Sequence, residues 1–235
     1  MDEGLDSFVQ SIAAKEYDPD FPVGRGAPEK IIPYMSGEQG FLRPIMTNSE
    51  QILQFGNNAY AKPATALSIL RETVMGPELF DYAFKKYAER WAFKSPTPAD
   101  FFRTMEDASA IDLDWFWRGW FYTTDYVDIG VEEVKHFRMQ TEDKWLEKRP
   151  ISGQDKKLNT EQKRFVEEVN TFVFENTKSE EYREFTNKFN EIEMKEGFAD
   201  KNFYQVKLAN KGGLVMPVII EWNYADGSTE LEKLP

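Results

Sequence analysis

The stretch YAKPATALSILRETVMGP, Tyr60 to Pro77, decides the fold. Ala66, Leu67, Leu70 and Val74 recur at the spacing that puts them on one face of a helix, so the pattern predicts a helix over residues 60–75. Gly76-Pro77 ends it, because glycine closes helices and proline cannot continue one. The pattern then repeats in short pieces. Residues 78–92 carry Leu79, Tyr82, Ala83 and Tyr87 at helical spacing. Thr97-Pro98-Ala99-Asp100 is a helix start: Thr97 can cap, and Pro98 suits the first turn. The helix it opens holds Phe101, Phe102 and Met105. In residues 113–121, Trp115, Phe116, Trp117, Trp120 and Phe121 cover more than one face. That predicts a helix buried on several sides, in preference to a ligand-stacking surface.

Working upstream, residues 4–16 read as an amphipathic helix through Leu5, Phe8, Val9 and Ile12. Asp18-Pro19-Asp20 and Phe21-Pro22 stop it. A long irregular stretch follows to about Asn48, with Tyr34, Phe41 and Ile45 available for packing. Downstream the character changes near Thr124. Val127, Ile129, Val131 and Val134 predict a strand over residues 126–138. Residues 140–159 are polar and charged, and the apolar spots of residues 160–196 are spaced for two helices with Glu- and Lys-rich outer faces. Strands are predicted at 203–208 and 215–222, with Lys211-Gly212-Gly213 as a hairpin turn between them and Asp226-Gly227 as a further turn. The reading is mainly α: a helical domain over residues 1–125, then a linker strand, charged helices and the start of a β domain over residues 126–235.

Composition excludes several chemistries. The 235 residues carry a net charge of −12, which argues against a nucleic-acid partner. There is no cysteine, so no disulfide framework, thiolate metal site or Cys nucleophile. There is 1 histidine, His136, so no metal site with two imidazoles can be built from this chain alone. No apolar run approaches the roughly 20 residues of a membrane helix. Met1 leads directly into Asp2-Glu3-Gly4-Leu5, without the basic start and apolar middle of a secretory signal. The expectation is a chain that begins abruptly inside a helix, or a piece of a longer one.

Three residue types invite chemistry. Glu3 opens a helix, where a carboxylate is a hard ligand for zinc or a charge that compensates the helix dipole. Tyr60 stands at a helix entry after Gly56-Asn57-Asn58-Ala59, read as a flexible loop; its hydroxyl is an oxyanion donor or a half-buried aromatic. His136 lies in a predicted strand without a nucleophile partner, and reads more readily as a structural residue than as a catalyst. The pairs Glu132-Glu133 and Glu180-Glu181 are poor acid–base partners, since adjacent residues of a strand point apart.

Taken together, these landmarks resemble the zinc aminopeptidases of the gluzincin class, the aminopeptidase N-like family. Met1-Asp2-Glu3-Gly4-Leu5 resembles the family's (Asn/Asp)-Glu-Gly segment, which implies that Glu3 is the third zinc ligand. Tyr60-Ala61-Lys62-Pro63 resembles its Tyr-Glu-Lys-Gly element, which implies that Tyr60 stabilises the tetrahedral intermediate. Lys62 matches too, whereas Ala61 and Pro63 depart. Phe84-Lys85-Lys86-Tyr87, Thr97-Pro98-Ala99-Asp100-Phe101, Met105-Glu106 and Asp112-Leu113-Asp114-Trp115-Phe116 are similar to the helices that follow.

The resemblance implies the helical latter half of a thermolysin-like catalytic domain, followed by a smaller helix-plus-β segment that starts a β-sandwich. It implies removal of N-terminal amino acids from peptides by zinc-activated water. The position and glycine content of segments 35–40 and 55–58 suggest that they line the cleft. The family's HExxH helix and its Gly-x-Met-Glu-Asn segment are absent. The expectation is therefore that zinc belongs to a full-length parent whose upstream catalytic half is missing here. This chain alone should bind no zinc and be inactive. The alternative is a non-catalytic helical and β interaction module in which Glu3 is only a helix cap. A sugar-binding or sugar-cleaving domain is a third and weaker option. No cellular address follows from the sequence.

Overall fold

In a computed structural model, residues 1–22, 24–138, 180, 184 and 202–234 are described. The two helices expected over residues 160–196 and the charged stretch 140–159 lie outside them, apart from Glu180 and Glu184. The chain is mainly α, with two small antiparallel sheets. It divides into two compact units, one of Met1–Ile129 with Asn210–Pro235 and one of Gly130–Ala209.

The first unit holds α1 (Asp2–Tyr17), α2 (Pro28–Met35), α3 (Lys62–Ile69), α4 (Pro77–Trp91), α5 (Pro98–Ser109) and α6 (Asp114–Tyr122). The predicted helix over residues 60–75 is realised in three parts. A π-helical turn, Gly56–Ala61, leads into α3, and a second, Leu70–Met75, leads out of it. Gly76, with φ +84°, closes the run. Thr97 caps α5 as expected, and Asp100 makes the cap reciprocal: the Asp100 N–H reaches Thr97 Oγ1 at 3.4 Å and the Thr97 N–H reaches Asp100 Oδ2 at 2.8 Å.

Two parts of the upstream reading are corrected. The irregular stretch to Asn48 contains α2, which buries Ile31, Tyr34 and Met35 at helical spacing behind Pro28 in its first turn. Pro33 inside the helix hides that periodicity. The buried stripe of α1 is Gly4, Ser7, Phe8 and Ser11, while Val9 is exposed. Small residues line this stripe because α1 lies very close to α3. A β-carbon on Gly4 would stand 2.2 Å from Pro63 Cγ and 3.3 Å from the Ala59 carbonyl oxygen.

The core joins α1 and the later helices through aromatic rings. Phe8 meets Phe80 edge-on at 5.3 Å, Phe80 stacks on Phe84 at 5.7 Å, and Phe84 meets Phe101 at 6.2 Å. Phe102 stacks on Trp117 at 4.6 Å, and Trp117 meets Phe121 at 5.6 Å. Each such pair adds about 0.5–1.5 kcal/mol beyond the apolar area it buries. Of the five aromatics expected to be buried here, Phe116, Trp117, Trp120 and Phe121 are buried and Trp115 is partly buried.

The last part of this unit is a hairpin. β3 (Val218–Asn223) pairs antiparallel with β4 (Thr229–Leu234), from Val218 opposite Leu234 to Asn223 opposite Thr229. Asp226-Gly227 makes its turn, with Gly227 at φ +86° and the Tyr224 N–H donating to the Ser228 carbonyl. Lys233 Nζ donates to the Thr73 and Val74 carbonyls, the latter at 3.0 Å, and so ties β4 to the second π turn. The expected hairpin turn at Lys211-Gly212-Gly213 is replaced by another pairing. The Tyr126 N–H donates to the Gly212 carbonyl at 3.0 Å and the Leu214 N–H to the Tyr126 carbonyl at 3.2 Å. The approach is so close that a β-carbon on Gly212 would stand 2.1 Å from the Tyr126 oxygen.

In the second unit, β1 (Ile129–Arg138) pairs with β2 (Asn202–Asn210). Lys207 Nζ bridges Glu132 at 2.9 Å across that pair. Among the described residues no helix is long and apolar enough to cross a membrane.

Candidate active site

Glu3 and Tyr60 are 57 positions apart in the sequence, and the fold brings them together. α1 starts at Asp2, so Glu3 stands in its first turn and is half-buried. Gly4, the next residue, lets this end of α1 press onto Ala59 and Pro63, on either side of Tyr60 in the chain. Glu3 therefore lies near enough to the Tyr60 phenol for its charge to act on it. The phenol's pKa is raised, first by burial, then by the negative charge of Glu3, with a smaller contribution from Asp2. Arg25 acts in the opposite sense. Its guanidinium carbon sits 4.3 Å from the centre of the Tyr60 ring, a cation–π contact. Phe55 meets the same ring edge-on at 6.0 Å.

The segment expected to be a flexible loop before Tyr60 is the π turn, and it is tied down. Asn58 is buried, and its Nδ2 donates to the Arg43 carbonyl at 2.7 Å and the Pro44 carbonyl at 3.2 Å. π turns within helices occur often at functional sites, because they re-aim a side chain without ending the helix. Just beyond the turn, Lys62 is buried at 2% exposure and its Nζ donates to the Thr123 carbonyl at 3.0 Å. Burial lowers its pKa to about 8, against the pull of Asp125.

The arrangement presents a protonated phenol, a carboxylate and a guanidinium on one surface. The raised pKa keeps the Tyr60 hydroxyl protonated, and so a hydrogen-bond donor, through neutral and mildly basic pH. Glu3 offers one oxygen ligand for a metal. The chain has 1 histidine, in the second unit: His136 Nε2 lies 2.9 Å from Asn202 Oδ1, and its ring stacks on Tyr204 at 4.8 Å. A zinc ion requires at least three protein ligands. Among the described residues, no group of three or more acidic or histidine side chains close enough to share an ion includes Glu3.

A second acidic group, which the sequence reading does not single out, is Glu106 with Asp112 and Asp114, whose carboxylate oxygens lie within 4.8 Å of one another. Two of the three serve the start of α6: Glu106 Oε1 accepts the Leu113 N–H at 2.9 Å and Asp112 Oδ1 the Asp114 N–H at 3.0 Å. The spacing Glu106, Asp112, Asp114 around a short turn is the only sequence signal for it, and it reads as local capping.

Residues 32–120 match the model of the peptidase family M1 domain. The match supports a metallopeptidase family and is consistent with the resemblance to aminopeptidase N-like gluzincins. It contains Tyr60 and Lys62, and Glu3 lies outside it. No curated protein and no solved structure matches the chain.

Proposed function

We propose that this chain carries part of the active centre of a zinc-dependent aminopeptidase, with Glu3 as a zinc ligand and Tyr60 as the donor to the oxyanion. The observation that carries the reading is the packing of Gly4 against Ala59 and Pro63, which brings Glu3 and Tyr60 side by side across 57 positions of sequence. A metal ligand and an oxyanion donor must face one reacting carbonyl, and neighbouring positions at the contact of α1 with α3 meet that demand. When a peptide carbonyl is attacked by water, its oxygen gains negative charge. A phenol held by the fold donates to that oxygen without having to reorganise, which is the largest single contribution in many acyl-transfer enzymes. Burial, and after it the charge of Glu3, raise the phenol's pKa and so keep its proton in place for this task. The reading also requires at least two further zinc ligands and a base for the water, which it assigns to an HExxH motif.

Two measurements test the reading. The purified chain, incubated with zinc and a fluorogenic amino-acid amide, should show no hydrolysis above background; zinc-dependent turnover would overturn the division of the centre between this chain and other residues. The reading frame around Met1 gives the second test. An HExxH motif encoded about 20 residues before Glu3 supports the peptidase, and an open frame without one removes it.

A further inference from the structure

Lys62 is the only lysine, arginine or acid among the described residues that is buried. A buried charge costs several kcal/mol unless it is well paired, and the single hydrogen bond to Thr123 with the attraction of Asp125 is modest compensation. What the side chain does provide is a fixed length between two parts of the fold. Its backbone begins α3, two residues beyond Tyr60. Its Nζ ends just past α6, on the Thr123 carbonyl.

That anchor is itself held. Thr123 Oγ1 donates to the Gly119 carbonyl at 2.7 Å and accepts the Asp125 N–H at 3.1 Å. On the other side of Tyr60, Asn58 is strapped to the Arg43 and Pro44 carbonyls. The two anchors are joined, since the Met46 N–H donates to the Phe121 carbonyl at 3.1 Å. Tyr60 therefore sits between two buried side chains, at positions 58 and 62, that reach back to one connected frame.

We propose that Lys62 is a positioning residue for Tyr60, and that its ammonium, opposite the Asn58 strap, fixes where the Tyr60 hydroxyl points by holding the start of α3 against the end of α6. The catalytic meaning of that hydroxyl rests on the function proposed above; its placement does not. The charged groups that act on the phenol are Glu3, Arg25 and Asp2, whereas the Lys62 ammonium is bonded to the Thr123 carbonyl. Any change at Tyr60 when Lys62 is altered therefore reports movement.

The test is nuclear magnetic resonance of the full chain labelled with [ζ-13C]tyrosine at pH 7, with the Tyr60 signal assigned by Tyr60→Phe. In Lys62→Met, which keeps the length and apolar volume but has no donor, the Tyr60 signal should shift toward that of free tyrosine and broaden. The Tyr224 signal, whose hydroxyl donates to Glu230 at 2.8 Å in the β3–β4 hairpin, should stay in place and so control for unfolding. A folded Lys62→Met with an unchanged Tyr60 signal overturns the proposal. If Lys62→Met does not fold, Asn58→Ala decides: displacement of the Tyr60 signal supports the two-strap arrangement, and an unmoved signal removes it. Failure of the peptidase reading is judged separately, by the upstream frame and the amide assay.

Discussion

Gly4 and Pro63 stand so close that any side chain on the glycine would overlap the proline ring, with 2.2 Å between the added β-carbon and Pro63 Cγ. The obstacle is a rigid ring next to helical backbone, so neither side can yield cheaply. Gly4→Ala is expected to push α1 off α3 and lower stability by about 1–3 kcal/mol, the usual range for overpacking. Urea unfolding of the purified variant measures this. A midpoint equal to that of the unaltered chain would mean that the two helices are free to separate.

The nearness of the Glu3 charge to Tyr60 predicts a change in titration. Glu3→Gln removes the charge that ranks after burial in raising the Tyr60 pKa. The phenol should then ionise at lower pH in the variant, still above 10.0 because burial remains. Ultraviolet difference titration against Tyr60→Phe reads the shift. An unmoved Tyr60 pKa would separate the two side chains and remove the support for a shared site.

Lys62 predicts a pH-dependent stability. Its ordinary pKa of 10.5 is lowered to about 8 in the fold. Between those values the unfolded chain binds more protons than the folded one, so stability rises with pH across that window. Below about 8 the lysine is charged in both states and the full penalty is present. The difference corresponds to about 3 kcal/mol, at 1.36 kcal/mol per pKa unit. Unfolding of the unaltered chain and of Lys62→Met, compared at pH 7.5 and pH 10.5, should show the unaltered chain gaining by this order relative to the variant. Parallel pH profiles would contradict it.

The cap of α5 is a local test. Thr97→Ala removes the acceptor for the Asp100 N–H and should lower stability by about 1 kcal/mol. Asp100's carboxyl is held below its ordinary pKa by Thr97, so its share of the cap is present at neutral pH and fades as pH falls through that lowered value. Thermal unfolding at pH 7 and in acid distinguishes the two: the effect of Thr97→Ala should shrink in acid.

Much of the helical part is legible in the sequence because its signals are local. Thr97-Pro98-Ala99-Asp100, Gly76-Pro77 and the aromatics of α6 act within a turn or two of themselves. What the sequence hides is set by distant partners. Gly56-Asn57-Asn58-Ala59 looks like a loop until the Arg43 and Pro44 carbonyls are seen to bind Asn58. Lys211-Gly212-Gly213 looks like a turn between neighbouring strands until Tyr126 takes up its backbone groups. The small residues of α1 are uninformative alone, and become a contact face only once Pro63 lies against them. Of the candidate site, Glu3 and Tyr60 are legible through family resemblance. Arg25 carries no pattern at all, and it enters only because its guanidinium lies on the Tyr60 ring.

The π turn at Gly56–Ala61 has one further consequence. Such a turn is an α-helix carrying one residue more than its register can absorb. The azimuth of Tyr60 is thus governed by a head-count of residues as well as by their identity. Deleting one residue between Gly56 and Ala59 would let the segment relax into ordinary α geometry. The phenol would swing by about 100° around the axis, the angular step of one helical residue. A comparison of related chains that tolerates a single-residue gap at this point would silently pair tyrosines that face different directions.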